Sequence, residues 1–459
     1  MRKKILILTT SVFTDRIYQH STFLDEIKNK FEIVFWARSY YSNPSDWIIN
    51  DVEVKPIPPV KMLDHYTSYF RRINEFAWMY KLNAKSLKIN YKYKSEYNCK
   101  NKSLLILGWL IAKLNLFSTW EYITKKLISE NSANNEINSL LKELSPDYLL
   151  VSNPFWVEEP LVALEANKIG IPVISLIPSW DNITTKSRIT YNSFAYGVWS
   201  SIRKVELFKY YPDSKTKPLF IYGTPQYDIF QNPTYYLEKK SFYEKYDLIE
   251  NVPIILFTIG SPLFIPSEID VCLAFCKEAQ KRNLLGKVQI LIRPNPIKDF
   301  SEYFSLFKDI DKNIHIQYDV HTSKEVEYRF QDKDMIKNWV STFNYCDILI
   351  ATSSTTILDA AMLNKPHINI AANLTNDQSL NSFIDEVSFE FEHLKKINDE
   401  GLFNNIINME ELIKQLEIFI HDPVNFINKS DELVKHLAEF KNNGKYGQLF
   451  AKNLIQITQ

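Results

Sequence analysis

Cysteine is rare in this chain, with four residues among 459 at positions Cys99, Cys272, Cys276 and Cys346. Their spacing fits neither a zinc site nor a disulfide framework, so a reducing cytoplasm is the compartment that suits the sequence best. Cys272 and Cys276 lie one helical turn apart, but the apolar residues around them favour two small core side chains over a pair of metal ligands.

Neither sign of charge is in excess, because Lys and Arg together number 54 and Asp and Glu together also number 54. The chain therefore has no overall field that would draw it to nucleic acid, and any basic site has to be local. Long apolar runs are missing too. The charged and then apolar start at residues 1–10 is too short for a signal peptide and predicts a first buried strand. Glycine is also scarce, with 9 residues, which reflects a compositional bias toward Asn and Lys.

The chain does contain short apolar runs that alternate with longer segments of helical period, the pattern of βα units around a parallel sheet. A length of 459 residues is too great for one core. We therefore predict an α/β protein with two Rossmann-like domains facing a cleft and a helical insertion in the N-terminal domain. Strands are expected at 5–8, 32–36, 147–151, 172–177 and 195–199, and then at 254–258, 288–292, 314–318, 348–351 and 367–370.

Domain boundaries follow from breaks in this pattern. The N-terminal domain is expected at 1–215, with a basic helical insertion at about 60–130. A stretch rich in Pro and Tyr at 216–235 predicts a hinge. The C-terminal domain is expected at 236–430, and closing helices at 431–459 could pack back on the N-terminal domain.

Four successive hydroxyl residues, Ser353, Ser354, Thr355 and Thr356, lie where a predicted strand ends and a helix begins. Ligands of open parallel sheets bind at the carboxyl ends of the strands. Free backbone N–H groups and the positive end of the helix dipole also meet there, so a phosphate or diphosphate is the expected ligand. A multiply capped helix is the structural alternative.

Two further strand ends in the C-terminal half carry residues suited to phosphate. Arg293 offers a charged fork, and the prolines on either side of Asn295 fix its loop. Gly260 allows close approach of a backbone, and Ser261 can donate to a phosphate or an acceptor. A structural salt bridge at Arg293 and an ordinary turn at 260–261 are the alternatives.

The loop Trp180, Asp181, Asn182 and Lys186 breaks out of a buried strand in the N-terminal half. An aromatic ring with a carboxylate, an amide and an ammonium group is how proteins hold sugars, so this loop is the candidate acceptor site. A packed Trp with an Asx turn is the alternative. Asp15 and His20 follow the first strand, a second place for acceptor contacts. Glu158 and Glu159 start another helix and are expected to serve its dipole.

The segment from Cys346 to Pro366 resembles the donor-binding segment of GT-B glycosyltransferases. It is similar also to the corresponding segments of CDP-glycerol glycerophosphotransferases and UDP-GlcNAc 2-epimerases. The resemblance implies that the hydroxyl loop holds the donor's phosphates and that Asp359 lies near the ribose, although a structural Asp on a helix surface is the alternative. Residues 179–182 are similar to a Ser-Trp-Asp-Asn segment of bacterial surface-polysaccharide transferases.

These resemblances imply a GT-B glycosyltransferase that moves a sugar from a nucleotide-activated donor to a saccharide or lipid-linked acceptor in capsule or O-antigen synthesis. An inverting transfer needs a general base, for which Asp181 is the first candidate and Asp15 or His20 the second. No cluster of metal ligands stands out, so we expect neither a metal nor another cofactor. A nucleotide-sugar epimerase, a polyol-phosphate transferase with a CDP donor and a non-catalytic sugar-binding subunit remain alternatives.

The insertion adds a prediction about location. Its lysines interleave with tyrosines and precede the apolar run Leu104–Ala112, which is too short to span a bilayer but long enough to lie on one. A cytoplasmic protein that binds the inner face of the cell membrane through 81–115 is one interpretation. A solvated basic loop followed by a buried helix is the other.

Overall fold

The computed structural model describes residues 2–41, 44–47, 52–93, 99–132, 134–155, 158–260, 268–295, 303–317, 331–375, 381–439 and 443–459. The chain divides into two compact units. Unit 1 comprises Met1–Asp228 and Leu437–Gln459, and unit 2 comprises Ile229–Val326 and Gln331–His436. Among the described residues, the chain leaves unit 1 after Asp228 and returns to it at Leu437.

Within the described residues, unit 1 is built on a parallel sheet of seven strands in the order β3-β2-β1-β4-β5-β6-β7. The strands are β1 Lys3–Thr9, β2 Phe31–Ala37, β3 Glu53–Pro56, β4 Tyr148–Val151, β5 Val173–Leu176, β6 Ala195–Val198 and β7 Leu219–Ile221. Ile5 through Leu8 in the centre of the sheet are fully buried. A parallel sheet covered on both faces requires such continuous apolar strands.

Helices cover both faces of this sheet. They are α1 Val12–His20, α2 Phe23–Ile27, α3 His65–Lys81, α4 Lys85–Tyr93, α5 Cys99–Lys113, α6 Phe117–Asn131, α7 Asn135–Leu144, α8 Glu158–Lys168, α9 Asn182–Thr185, α10 Ser201–Tyr210 and the C-terminal α20 Tyr446–Thr458. Helices α3 to α6 lie between β3 and β4, which confirms the predicted helical insertion.

Helix α20 is anchored to the body of unit 1. The Asp228 carboxylate accepts hydrogen bonds from the backbone N–H groups of Tyr446 at 2.9 Å and Gly447 at 2.8 Å. These N–H groups have no partner within their own helix, so the carboxylate satisfies donors that a helix start leaves open. The ring of Phe450 stacks on that of Phe23 with centroids 4.2 Å apart.

The described part of unit 2 contains a second parallel sheet, with six strands in the order β10-β9-β8-β11-β12-β13. The strands are β8 Ile254–Thr258, β9 Gln289–Arg293, β10 Ile314–Ile316, β11 Ile348–Ala351, β12 His367–Ile370 and β13 Asn405–Ile406. The helices are α11 Lys239–Lys245, α12 Glu268–Lys281, α13 Phe304–Lys308, α14 Lys333–Tyr345, α15 Thr356–Met362, α16 Asn381–Glu390, α17 Glu392–Asp399, α18 Met409–His421 and α19 Ser430–Ala438. Cys272 and Cys276 lie on α12 and are buried in the core of unit 2, as predicted.

The α/β class with two Rossmann-like units is confirmed, and the differences from the predicted elements are local. Residues 12–27 form two helices, α1 and α2, because the Ser21 hydroxyl donates to the Ile17 carbonyl and accepts from the Phe23 N–H. The edge strands β3, β7 and β13 were not predicted. In β3 the residues alternate between exposed and half-buried, so an apolar run is missing there.

Candidate functional site

Both sheets have the topology that creates a ligand site at their centre. In unit 1, β1 pairs with β2 on one side and with β4 on the other; in unit 2, β8 pairs in the same way with β9 and β11. Connections leave the two central strands in opposite directions, and the loops beyond their carboxyl ends separate into a crevice. The functional side chains of each unit are therefore expected in these loops.

The loop after β11 is held against the next strand. Ser353 has a positive φ of 43°, and its N–H donates to Asn369 Oδ1 at 2.6 Å. The Ser353 hydroxyl lies 3.0 Å from that of Ser388. Left-handed backbone at a residue other than glycine is uncommon and is kept where the surroundings fix it. Ser353 therefore has a structural role, because its backbone and hydroxyl fix the conformation of the loop.

The other three hydroxyl residues have different surroundings. The Thr356 hydroxyl lies 2.9 Å from that of Thr258 at the end of β8, which links the two central strands. The Ser354 hydroxyl is half-buried and accepts a hydrogen bond from the Thr356 N–H at 3.3 Å. Thr355 is exposed at the N-cap position of α15, where its side chain makes no capping hydrogen bond. Ser354 and Thr355 are the members of the run that can donate outward.

A buried carboxyl that the sequence did not indicate lies beside this loop. Glu268, in the first turn of α12, is 1% exposed and accepts a hydrogen bond from the Gly260 N–H at 2.6 Å. It also faces the hydroxyl and amide of Thr352 in the loop after β11. Burial raises the pKa of Glu268 to about 7, although these hydrogen bonds favour the ionised form. One carboxyl thus lies against the loops that follow β8 and β11.

Arg293 and Gly260 lie at the same edge of the unit 2 sheet. Arg293 ends β9 and is half-buried; it is the register partner of Thr258, and its carbonyl accepts from the Ile259 N–H at 3.0 Å. Asn295 follows and is also half-buried. Ser261 lies outside the described residues. Asp359 is buried in the first turn of α15, where its N–H donates to the Thr355 carbonyl at 3.3 Å.

In unit 1, Asp15 lies in the first turn of α1 and is buried. It accepts a hydrogen bond from the Thr9 hydroxyl at 2.6 Å. Burial raises the pKa of Asp15 to about 6, against the opposing influence of Thr9, Ser39 and the charges of Arg16 and Arg38. His20 is the last residue of the same helix, roughly 7.5 Å further along its axis at about 1.5 Å per residue.

Glu159 repeats in unit 1 the arrangement of Glu268 in unit 2. It is fully buried in the first turn of α8. It accepts from the Thr10 hydroxyl at 2.6 Å and from the Asn153 N–H at 2.7 Å, which join the loops after β1 and β4. Burial raises its pKa to about 7. The sequence predicted a role at the helix dipole for this residue; the contacts add a link across the two central strands.

The candidate acceptor loop is organised around Asp181. Its half-buried carboxylate accepts from Ser179 Oγ at 2.5 Å, Thr185 Oγ1 at 2.9 Å and Asn182 Nδ2 at 3.1 Å. The Thr184 hydroxyl also donates to the Asp181 carbonyl, and the Thr185 hydroxyl shares its one proton between that carbonyl and the carboxylate. A carboxylate held by three donors has a fixed direction.

The neighbours of Asp181 differ in exposure. Trp180 is 2% exposed, and its carbonyl accepts from Nη1 of the buried Arg203 at 2.7 Å. Arg203 is paired in turn with Glu206 at 2.7 Å. Asn182 is buried as well, whereas Lys186 is exposed. Of the three predicted acceptor contacts, Trp180 and Asn182 are buried and Lys186 is the most exposed.

No family model matches the sequence. The search of curated proteins likewise gives no match. Solved structures do match the fold. UDP-GlcNAc 2-epimerase from Neisseria meningitidis, bound to UDP-GlcNAc, has a TM-score of 0.52 at 12% identity, over 99% of this chain and 100% of that chain.

Two further structures give similar values. UDP-GlcNAc 2-epimerase from Methanocaldococcus jannaschii has a TM-score of 0.52 at 12% identity over 99% of this chain and 100% of that chain. An S. aureus MnaA structure with UDP has a TM-score of 0.51 at 10% identity over 97% and 94%. At such identities the similarity establishes the fold, two Rossmann-like domains of the GT-B type.

Proposed function

We propose that this GT-B chain is a nucleotide-sugar-dependent glycosyltransferase whose unit 2 binds the donor and whose unit 1 binds the acceptor. The observation that carries the proposal is the hydroxyl loop after β11, which is joined to β8 through Thr356 and Thr258. That junction is the switch point of the unit 2 sheet, where nucleotides bind in open α/β folds. Structures of similar fold that hold UDP or UDP-GlcNAc support a nucleotide sugar as the ligand class.

The donor roles follow from exposure and hydrogen bonding. Ser354 and Thr355 donate to the phosphates, since Ser353 and Thr356 are already engaged with Asn369 and Thr258. Arg293 supplies the positive charge for the leaving diphosphate. Gly260 lets the nucleotide approach the backbone, Asn295 adds an amide, and Asp359 contacts the ribose. The protein thus meets the leaving-group charge, and we propose that transfer needs no metal.

Asp181 is the proposed general base, because its carboxylate is fixed in direction by three donors and lies in a loop at the carboxyl end of β5. Asp15 and His20 are the second candidates. Lys186 contacts the acceptor from its exposed position, whereas contact through the buried Trp180 and Asn182 requires the loop to open.

The acceptor is proposed to be a saccharide or a lipid-linked sugar of a surface polysaccharide, such as a capsule or an O-antigen of lipopolysaccharide. A lipid-linked acceptor would place the enzyme at the cytoplasmic face of the cell membrane, as a peripheral protein. Among the helices of the described residues, none combines the length and apolar character needed to cross a bilayer.

A nucleotide-sugar epimerase is the second candidate, favoured by the near full-length similarity to UDP-GlcNAc 2-epimerases. The two activities differ in what they need. An epimerase converts UDP-GlcNAc without an acceptor, whereas a transferase consumes the donor, releases the nucleotide and elongates an acceptor.

Thermal-shift measurements with UDP, GDP, CDP, CMP and dTDP test the donor class first, since a ligand that binds the folded state raises the unfolding temperature. Product analysis with the matching nucleotide sugar then separates transfer from epimerisation. A shift with CDP or CMP alone would indicate a polyol-phosphate donor. A lack of response to every nucleotide would contradict the proposal and favour a non-catalytic sugar-binding subunit.

The double variant Ser354→Ala/Thr355→Ala tests the loop itself. We expect nucleotide affinity to fall at least about tenfold by calorimetry, because two hydroxyl donors to phosphate are lost. The double variant Ser118→Ala/Thr119→Ala is the control, because it removes an exposed Ser–Thr pair at the start of α6. Equal affinity in all three proteins would reduce the loop to a helix cap.

A further inference from the structure

Large apolar side chains are exposed along one helix of the unit 1 insertion. The α5 outer face, as we term it, consists of Ile106, Leu107, Trp109, Leu110 and Leu114, the last just beyond the helix end. Ile106 is 59% exposed and Leu114 is 62% exposed. Single exposed apolar residues are ordinary, whereas a contiguous group of large ones marks a contact surface. This face therefore needs a partner.

The opposite side of α5 explains why this face points outward. A Cβ atom on Gly108 would lie 2.5 Å from Phe76 Cβ and 2.9 Å from the Ala77 nitrogen, so α5 crosses α3 at very close range. Leu104, Leu105 and Ile111 pack against the unit 1 core from the same side. The helix cannot turn its outer face inward without losing this crossing. Apolar residues all round a helix indicate a second apolar environment.

The charge of the segment that contains α5 limits what that environment can be. Residues 81–115 contain eight lysines and one acidic residue, Glu96, a local net charge of +7 in a chain whose formal net charge is +0. Helix α5 itself contains neither Asp nor Glu. Lys102 and Lys113 are exposed near its two ends, and the Lys113 ammonium lies 4.7 Å from the Trp109 ring centroid. The partner is thus apolar and anionic at once.

We propose that the α5 outer face docks on an anionic lipid bilayer, with α5 lying in the membrane interface. At about 1.5 Å per residue the helix is roughly 22 Å long, shorter than a hydrocarbon core of about 30 Å, so it lies along the bilayer. The apolar side chains enter the acyl boundary, Trp109 occupies the headgroup level and the lysines contact anionic headgroups.

Other partners fit these observations less well. Two copies of this chain joined through the same face would bring the exposed Lys102 and Lys113 of each copy together, and α5 has no acidic residue to pair with them. Nucleic acid would match the lysines but would leave Ile106, Leu107 and Leu110 against water. A bilayer with acidic headgroups satisfies both the charge and the apolar area. This docking does not depend on the transfer reaction.

Vesicle flotation of the full chain tests the proposal. We expect the protein to float with vesicles that contain phosphatidylglycerol and to stay behind with pure phosphatidylcholine. The triple variant Ile106→Ser/Leu110→Ser/Leu114→Ser should partition at least about tenfold less, because three apolar side chains no longer enter the interface. These residues are exposed, so the unfolding temperature should not change.

The control variant Val205→Ser/Val424→Ser/Ile427→Ser removes three apolar residues exposed elsewhere, and it should float like the wild type. The variant Lys102→Gln/Lys113→Gln should need a higher proportion of phosphatidylglycerol. Wild-type protein that fails to float, or an apolar variant that floats like its control, would overturn the proposal. A soluble dimer that the apolar variant abolishes would overturn it in favour of self-association.

Discussion

Glu268 allows a sharp test of how the two central loops of unit 2 are held. Its carboxyl accepts the Gly260 N–H at 2.6 Å and faces Thr352, and it is 1% exposed. Burial raises its pKa from 4.5 to about 7. The substitution Glu268→Gln keeps the shape and one acceptor oxygen but removes the titration. The stability difference between the variant and the wild type should therefore depend on pH.

The sign follows from proton binding. Below pH 4.5 the carboxyl is protonated in both the folded and the unfolded chain. As the pH rises, the unfolded chain ionises first while the folded chain keeps its proton until about pH 7. The folded state holds more protons in this window, so the wild type loses stability as the pH rises. The full change in the Glu268 pKa corresponds to about 3 kcal/mol of unfolding free energy. Between pH 5 and pH 8 we expect the difference in unfolding free energy between Glu268→Gln and the wild type to change by about 2 to 3 kcal/mol.

Urea unfolding of both proteins at pH 5 and pH 8 measures this change. Glu268→Gln should gain stability relative to the wild type as the pH is raised. Glu278→Gln serves as the control on the same helix. Arg282 and Lys281 hold the pKa of this half-buried carboxyl below its ordinary value, so the stability difference between this variant and the wild type should be nearly constant between pH 5 and pH 8. If the stability difference between Glu268→Gln and the wild type is equally constant between pH 5 and pH 8, the reasoning from a buried carboxyl with a raised pKa is refuted.

Three other predictions concern the donor site and the C-terminal helix. Arg293→Lys should weaken binding of the nucleotide found by thermal shift about tenfold by calorimetry, because the planar guanidinium is lost while the charge is kept. Arg282→Lys in the same unit is the control, and equal affinities would leave Arg293 with a structural role only. Transfer activity should survive EDTA. Full loss of activity that magnesium or manganese restores would contradict the proposal that the protein stabilises the leaving group without a metal. Gly447→Ala should destabilise the chain to urea by about 1 to 3 kcal/mol, because the added Cβ would lie 2.6 Å from the Phe23 nitrogen; an unchanged transition, as expected for the exposed Lys452→Ala, would show that α20 can shift.

Much of the fold could be predicted because its central strands are buried on both faces. Runs such as Ile5–Leu8 and Ile254–Phe257 are apolar without interruption, and polar residues follow them where the sheet ends. The edge strands could not be predicted in this way, since one side of β3 meets solvent and its apolar signal is lost. The apolar pattern of a local sequence predicts buried strands. It does not predict short edge strands, which form because a neighbouring strand pairs with them.

The candidate site was predictable only in part. Hydroxyl residues at a strand-to-helix junction mark the loop after β11, but which of them are free to donate depends on Asn369, Ser388 and Thr258, which lie far away in sequence. Glu268 could not be identified, since its partners are Gly260 and Thr352 and a glutamate at a helix start is commonplace. Trp180 suggests a stacking platform in sequence, yet its ring is buried in unit 1.

The Asp228 carboxylate has a consequence for the order in which the protein is made. It marks where the chain leaves unit 1, and it also receives the start of α20 more than two hundred residues later. A ribosome delivers every strand of unit 2 before Tyr446 emerges, so unit 2 can be complete while unit 1 still lacks a helix. Until α20 has been synthesised, the Phe23 ring lacks its stacking contact with Phe450. The nascent N-terminal unit is thus the one that a chaperone would meet unfinished.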